Sequence, residues 1–447
     1  MSSAPRIPPS SPPPTPLPPP TPAPVRSSSS RAPRAPGPGS LARHWGLDPA
    51  VVFLNHGSFG GVPNEVMDEL RRRYDHVRLD PVRYIVEELE GDLDVARRAM
   101  AAFVRCDAEG FAFVCNASAG VNTVIRSLRF QAGDEILSSN HEYNACNNVI
   151  RWAESRWGVR GVYADVPFPL RDEEDVVRAV RAKVTSRTRL VLLSHITSPT
   201  ALVLPAARLV RELNERGIDT LVDGAHGPAF LDLDVSALGC AYYTGNFHKW
   251  LCAPMGSAFL WVREDRRSRI RPAIISHGAN ASRADRSRYR LEADFVGSMD
   301  YTPWLVTPFA MRHVGALVPG GWPEIRARNN ALALRARDLI NARLGAEAVA
   351  PDAMLGSMAC VRLPDRTAAQ SKEPSKYHDA LQDALLNRWR IQVPIIPFGG
   401  PASGGGGTAV LGAGAAGPRY VRISAQVYNT VEQYEYLADA LEAELDR

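Results

Sequence analysis

No run of apolar residues in this chain approaches the ~20 needed to cross a bilayer as a helix, so no membrane partner is expected. A strong charge of either sign is missing too. With 52 basic residues against 48 acidic ones, the net charge of +4 gives no case for a nucleic-acid partner. Cysteine is sparse and shows no CxxC or zinc-finger spacing: Cys106, Cys115, Cys146, Cys240, Cys252 and Cys360 are scattered. That argues against a disulfide framework and a metal site, and for reduced thiols in a cytoplasmic protein. Cys115 and Cys252 stand in apolar or motif-rich surroundings and read as small buried hydrophobes. Acidic residues are absent from residues 1–40, which hold fifteen prolines and four arginines. Such a segment cannot bury enough apolar surface to fold, and it lacks the apolar core of a signal peptide. It reads as a disordered, partly polyproline-II tail. Residues 399–417 contain nine glycines and neither an aromatic nor a charged residue, the composition of a mobile loop.

What remains is an ordinary globular chain, 45% hydrophobic and long enough for two domains. Leu89, Leu93, Ala96, Met100 and Phe103 recur at helical spacing. Strand-like runs follow at 112–116, 135–139, 189–196, 219–224 and 257–262, alternating with helical stretches. This pattern predicts an α/β fold, with a mainly parallel sheet sandwiched by helices. Ligands of such sheets collect beyond the carboxyl ends of the strands, where Ser118, Tyr143, Ser198 and Asp223 fall. After about Pro308 the pattern changes to helices at 324–343, 376–389 and 431–445 and strands near 357–363 and 419–424, a smaller α+β domain. Thr430 and Gln433 are spaced as a capping box for the last helix. The expected organisation is a tail (1–40), an N-terminal arm with a large domain (41–307) and a small C-terminal domain (308–447).

Two segments carry the chemistry. LVDGAH ends an apolar strand on Asp223, and GNFHKW sets Asn246, His248 and Lys249 within four residues, 26 positions after Asp223 at Lys249. An Asp that keeps a heterocyclic nitrogen protonated and a Lys able to form an imine are what pyridoxal phosphate asks of a protein. Taken singly, Asp223 could be a helix cap or turn residue and Lys249 a solvated lysine. The flanking histidine and aromatics and the apolar strand downstream speak against the latter.

NHGSFG (55–60), NASAGVN (116–122), HEYNA (141–145), SHITSPTALVLP (194–205), DGAH (223–226), GNFHKWL (245–251), VGSMDYTPWL (296–305) and RISAQVYNT (422–430) occur in this order. Together they resemble the class-V aminotransferase family of pyridoxal-phosphate enzymes, fold type I, and within it the isopenicillin N epimerase-like branch. The resemblance runs from about residue 45 to the end. It implies that Lys249 carries the cofactor and shuttles the Cα proton, and that Asp223 pairs with the pyridine nitrogen. His226, where related desulfurases have Gln, would donate to the phenolate oxygen. Ser118, with the backbone at Ala119 and Gly120, would cradle the phosphate at a helix N-terminus. Asn246 and His248 match phosphate-holding positions, although Asn246 replaces the more usual Ser. Ser298 matches a hydroxyl that reaches the phosphate of a neighbouring subunit, which implies a homodimer with a shared site. Tyr143 would stack on the cofactor face. Arg422, between Val421 and Ile423 on a strand, would bind the α-carboxylate of a small amino-acid substrate. Asn55 and His56 would line the substrate entrance, and Ser198 stands where desulfurases have Asn.

Fold and cofactor leave the reaction open, because the protein chooses which bond breaks. Epimerisation, C–S lysis and desulfuration compete. The usual desulfurase needs a nucleophilic Cys in the loop before the arginine strand, and residues 397–418 contain none. The motifs resemble the epimerase most, while HEYNAC and RISAQVY also resemble C–S lyases of the cysteine or hercynylcysteine sulfoxide type. A non-catalytic binding module on the same fold would be expected to have lost Lys249, Asp223 or Arg422, and all three are present.

Overall fold

The computed structural model describes residues 35–377, 379–399 and 416–446. The tail reading for residues 1–34 and the loop reading for residues 400–415 lie outside the described residues. Strands β1 (Phe111–Val114), β2 (Glu135–Ser139), β3 (Arg160–Ala164), β4 (Thr188–Ser194), β5 (Asp219–Asp223), β6 (Tyr242–Asn246) and β7 (Ala258–Val262) form one sheet in the order β1-β7-β6-β5-β4-β2-β3. The pairings from β6 through β5, β4 and β2 to β3 are parallel. β7 reverses direction and pairs antiparallel with both β6 and β1. The five expected strands are all present and the sheet is mainly parallel, as the alternation of strands and helices predicts. β3 and β6 are additional. β1 stops at Val114 rather than continuing to 116, because Asn116 turns out of the strand to cap a helix.

Both faces of the sheet are covered. Helices α1 (Asn64–Leu79), α2 (Leu89–Phe103), α3 (Ala117–Ser127), α4 (Asn144–Trp157), α5 (Ala206–Glu215) and α6 (Thr307–Gly315) lie around it. Leu221, Tyr242 and Leu260 join one buried apolar cluster with Val121, Val124 and Ile150 of α3 and α4. Their neighbours Val222, Tyr243 and Phe259 join a second cluster with Leu93, Met100 and Val210 of α2 and α5. This alternation is the period of two along a strand, applied to a sheet that is apolar on both sides.

C-terminal to these lie α7 (Gly321–Leu344), α8 (Ala380–Trp389) and α9 (Val431–Leu445). With them lies a small antiparallel sheet of β8 (Met358–Arg366), β9 (Ile395–Pro397) and β10 (Gly417–Ser424), in the order β9-β10-β8. α8 begins four residues later than the periodicity suggests, because Asp379 caps it by accepting from Leu381 N. Thr430 and Gln433 form the expected capping box. Among the described residues no helix is long and apolar enough to cross a membrane.

The N-terminal arm sets the site. Gly39 N donates to Tyr428 O at 2.8 Å and Ser40–His44 form a 3-10 helix, so the last residues assigned to the tail belong to the folded body. Val52–Phe53 then pair with Ile391–Gln392. The chain next passes beneath the Lys249 segment, where Gly60 has φ +75° and an added Cβ would stand 2.0 Å from His248 O and 2.9 Å from Lys249 O. Only glycine tolerates both the backbone angle and the contact. Gly60→Ala is therefore expected to cost about 1–3 kcal/mol through overpacking, read as a lower urea midpoint. Gly217→Ala shares the positive φ (+70°) but has nothing within 4 Å; it should cost about 1 kcal/mol. Equal losses at the two positions would contradict the close approach.

Candidate active site

A cavity of about 420 Å³ opens at the carboxyl ends of the parallel strands, lined by Ser118, Tyr143, Asp223, His226, His248 and Lys249 among others. Strand ends bring these residues together: Asp223 closes β5, Tyr143 is the N-cap of α4 after β2, and Lys249 follows β6.

Asp223 is buried. Its Oδ1 accepts from Ala225 N at 2.9 Å and its Oδ2 from the Cys146 thiol at 3.1 Å. Burial raises its pKa against the pull of Cys146, Ala225 and Lys249. Glu142, also fully buried, accepts from Ser194 Oγ at 2.9 Å and Tyr143 N at 2.8 Å. Burial and the charge of Asp223 push Glu142 up to about 8. Glu142 therefore keeps its proton near neutrality, and Asp223, with two donors already on it, is the carboxyl that a protonated ring nitrogen would hold ionised. Burial beside both carboxylates holds the Cys146 thiol well above its ordinary value, so it donates rather than acting as a thiolate.

Lys249 is half-buried. Desolvation, followed by the positive charge of Arg422, lowers its amine to about 7. Lys249 Nζ lies 3.0 Å from His226 Nε2, and Trp250 Nε1–H donates to His226 Nδ1 at 3.2 Å. An indole only donates, so Nδ1 must be the accepting nitrogen and the proton of the neutral ring sits on Nε2. Burial and the charge of Lys249 hold His226 well below its usual pKa, which agrees with a neutral ring. His226 thus presents an N–H donor, the role expected toward a phenolate. The backbone carrying Lys249 is tied at both ends: Phe247 N donates to Ser257 O at 3.0 Å, and Ala253 N donates to Phe247 O at 3.1 Å.

The anion end of the cavity is the N-terminus of α3, whose free amides and dipole favour a phosphate. Ser118 lines it. Two of the amides already have side-chain acceptors: Ala117 N donates to Asn246 Oδ1 and Ala119 N to Asn116 Oδ1, each at 2.8 Å. Asn246, where the usual residue is Ser, therefore fixes the turn below the helix. His248 Nδ1–H donates to Ser257 O at 3.3 Å, and burial followed by the charge of Lys249 lowers its pKa to about 4. A neutral ring with its proton on Nδ1 must regain charge to donate to a phosphate from Nε2.

Arg422 is the strongest anion receptor. It is buried, donating from Nη1 to Ser198 O and from Nη2 to Ser58 Oγ at 2.8 Å and Asn55 Oδ1 at 3.3 Å. None of these partners is charged, and among the described residues no carboxylate pairs with it. Its Nε is buried without a hydrogen-bond partner among the described residues. A buried cation served only by neutral oxygens calls for an anionic ligand.

The structure thus brings Ser118, Tyr143, Ser198, Asp223, His226, Asn246, His248 and Lys249 to one cavity, with Arg422 and Asn55 hydrogen-bonded at its edge. It does not bring Ser298 there; that residue is exposed. Ala119 lies one turn position behind the lining. His56 is fully buried rather than at an entrance: Nε2–H donates to Lys249 O at 3.1 Å and Nδ1 accepts from Tyr428 Oη at 2.9 Å, so it supports the lysine segment from behind. Cys115 is not a buried hydrophobe but is exposed and lines the cavity, because the chain leaves β1 just before it. Sequence reasoning passed over Glu142, Ser194, Trp250 and Ser58. All four stand inside motifs already singled out.

The residues fit pyridoxal phosphate: a buried carboxyl at a strand end, a lysine whose amine is readily freed of its proton, a donor fixed on His226 and a helix N-terminus for the phosphate. Comparison with known proteins agrees. The Aminotransferase class-V family matches residues 52–437. Isopenicillin N epimerase from Streptomyces clavuligerus is 35% identical over 411 residues, covering 89% of this chain and 96% of that protein. Putative L-cysteine desulfhydrase 1 from Oryza sativa subsp. japonica is 28% identical, covering 88% of this chain and 82% of its own. A solved structure of C-DES, with glycine covalently linked to its PLP cofactor, shares the fold at a TM-score of 0.70 and 20% identity, covering 88% of this chain and 96% of that one.

The lowered pKa of Lys249 has a readout. Only the neutral amine attacks an aldehyde, so incorporation of pyridoxal phosphate into apoprotein should speed up as pH rises to about 7 and level off above it. Arg422→Gln removes a positive charge that favours the neutral amine, so the midpoint should move to higher pH. A wild-type midpoint above 9, followed by absorbance, would contradict this account.

Proposed function

The chain belongs to the Aminotransferase class-V family of pyridoxal-phosphate enzymes, and we propose that it breaks the Cα–H bond of an α-amino acid and returns the proton, as an epimerase of the isopenicillin N epimerase type. The observation that carries this reading is Arg422, a buried guanidinium without an anionic partner among the described residues, at the edge of the cavity that holds Lys249. The 35% identity to the Streptomyces clavuligerus epimerase supports the choice of reaction.

Bound pyridoxal phosphate supplies an electron-accepting ring that stabilises negative charge at the substrate Cα. The chain's own residues do the rest. Asp223, which accepts from Cys146 and Ala225 N, would pair with the ring nitrogen and keep it protonated. His226 donates from Nε2, in the tautomer set by Trp250. Arg422 takes the α-carboxylate and so orients Cα, its Nη groups already braced on Ser198, Ser58 and Asn55. Lys249, with a pKa of about 7, takes a proton from Cα or delivers one on its own face near neutrality, and inversion needs a second acid or base for the opposite face. Tyr143, 48% exposed at the cavity rim, would cover the ring face. Ser298, exposed in its own chain, belongs in this reading to the phosphate site of a second subunit of a cytoplasmic homodimer. The division into a large domain ending at 307 and a small one from 308 is part of the same reading.

C–S lysis is the second reading, supported by the cysteine desulfhydrase relative. Desulfuration through a persulfide is disfavoured by the cysteine-free stretch 397–418. Cys115 lines the cavity, but from the turn between β1 and α3.

Holoenzyme incubated in D2O with α-amino acids and S-substituted cysteines separates these readings. Deuterium entering Cα with loss of optical purity, and no pyruvate, is the expected result. Release of pyruvate with a sulfur product would replace the epimerase by the lyase. Protein that stays colourless with added cofactor would end the enzyme reading. Lys249→Ala should abolish the exchange. Arg422→Gln should lower kcat/KM by about 100-fold, from loss of charge-assisted hydrogen bonds to the carboxylate, with most of the change in KM.

A further inference from the structure

Outside the cavity, three potential ligands converge from elements far apart in sequence. His44 ends the 3-10 helix of the N-terminal arm, Glu65 lies in the first turn of α1, and His313 in the last turn of α6. His44 Nδ1 is 3.0 Å from Glu65 Oε1, and His313 Nε2 is 3.4 Å from Glu65 Oε2. One nitrogen, one carboxylate oxygen and a second nitrogen all lie within 4.8 Å of one another. The two rings are 6.0 Å apart, and His313 is held in place by stacking on Phe309 at 5.8 Å.

Hydrogen bonding alone leaves part of this cluster unexplained. Glu65 Oε2 and His313 Nε2 are both buried atoms, and neither has a hydrogen-bond partner among the described residues although they face each other. The two atoms form an ion pair when His313 is protonated, and with a neutral ring the gap between a lone-pair oxygen and an imidazole nitrogen is one a small cation fills. We propose that His44, Glu65 and His313 form a binding site for a divalent cation of the zinc class, which fastens the N-terminal arm to α1 and α6. Two imidazoles and a carboxylate suit zinc, nickel or cobalt, whereas magnesium and calcium prefer all-oxygen shells. Metal–ligand bonds of about 2.0–2.1 Å in a tetrahedral shell put neighbouring ligand atoms about 3.3 Å apart; each histidine nitrogen comes that near one oxygen of Glu65, His44 Nδ1 to Oε1 at 3.0 Å and His313 Nε2 to Oε2 at 3.4 Å. The site is open on one side, since Glu65 has a side-chain exposure of 43% and the histidines about half of that, at 20% and 19%. Water can complete the shell there.

The other convergence of this kind, Glu142, Cys146 and Asp223, is buried in the floor of the cofactor cavity and is already used there. The proposed site serves a different end. The arm it holds runs on to Gly60, which lies against the backbone of His248 and Lys249, so the cation would act as a staple on the segment beneath the lysine. It takes no part in the chemistry.

The test uses yellow holoenzyme stripped of metal by a chelator and titrated calorimetrically with ZnCl2. One ion per chain with a micromolar or tighter Kd is expected. His44→Gln, Glu65→Gln and His313→Gln should each weaken binding at least tenfold, with the cofactor absorbance retained as the sign of an intact fold. ZnCl2 should raise the thermal midpoint of the wild type by about 3 °C at a hundredfold excess over Kd, and not that of the His44→Gln/His313→Gln double variant. MgCl2 should do neither. No binding, or binding unchanged in the double variant, overturns the proposal. Should a histidine variant lose the cofactor absorbance, Glu65→Gln, which keeps a hydrogen-bond acceptor for His44, decides the matter alone.

Discussion

An ammonium drawn partly out of water loses much of its reason to stay charged, and the rest of the site is arranged around that fact for Lys249. Desolvation and the neighbouring guanidinium of Arg422 bring its amine to about 7, and His226 meets it with an N–H rather than a lone pair. That hydrogen bond runs in the stated direction only because Trp250 occupies the other ring nitrogen. The chain Trp250–His226–Lys249 is thus a proton-free relay of orientation: each member fixes what the next can donate or accept. Asp223 supplies the opposing charge, and Glu142 leaves it that charge by keeping its own proton. Remove the low-polarity surroundings and none of these assignments would hold, since an exposed lysine stays cationic up to a pKa of about 10.4.

Much of this was legible in the sequence, and the parts that were not have definite physical reasons. The five predicted strands are apolar runs that sit in a sheet covered on both sides, so composition alone marks them. β3 escaped notice because it is an edge strand, Arg160–Ala164, with a glycine and partial exposure along most of its length. β6 contains Gly245, which looks like a turn residue until Phe259 and Pro228 are seen to occupy the space of its missing side chain. Asp223, Lys249 and Arg422 announced themselves by their unlikely settings. Glu142 gave no such signal, because a glutamate in a polar motif becomes significant only once the fold buries it beside Asp223. His56 was placed at an entrance from its motif alone; its partners Tyr428 and Lys249 O lie more than 190 positions away in the chain. Cys115 is exposed for a related reason, since the strand ends two residues earlier than its sequence pattern suggests.

The arginine shows how a cofactor fold becomes an amino-acid site. Ser58 and Asn55 come from the N-terminal arm, Ser198 from the loop after β4, and Arg422 itself from β10 of the small sheet. Two separate regions hold the guanidinium of a third, all through neutral oxygens, so its charge is left for a ligand. Tyr143, Phe59 and Met255 line the same cavity and are exposed to solvent.

The reversal of β7 has a mechanical consequence. Because β7 pairs antiparallel with β6, the lysine sits in a hairpin-like connection whose two ends are stitched to the same pair of strands, not in the free crossover that follows the other parallel strands. Such a segment cannot swing as a lid. The travelling part of Lys249 is then reduced to the torsions of four methylene groups pivoting on a stationary Cα, a short crank on a fixed bearing. Its reach defines a small arc on one side of the substrate, and a proton arriving at the opposite face must come from a group mounted on a different part of the frame.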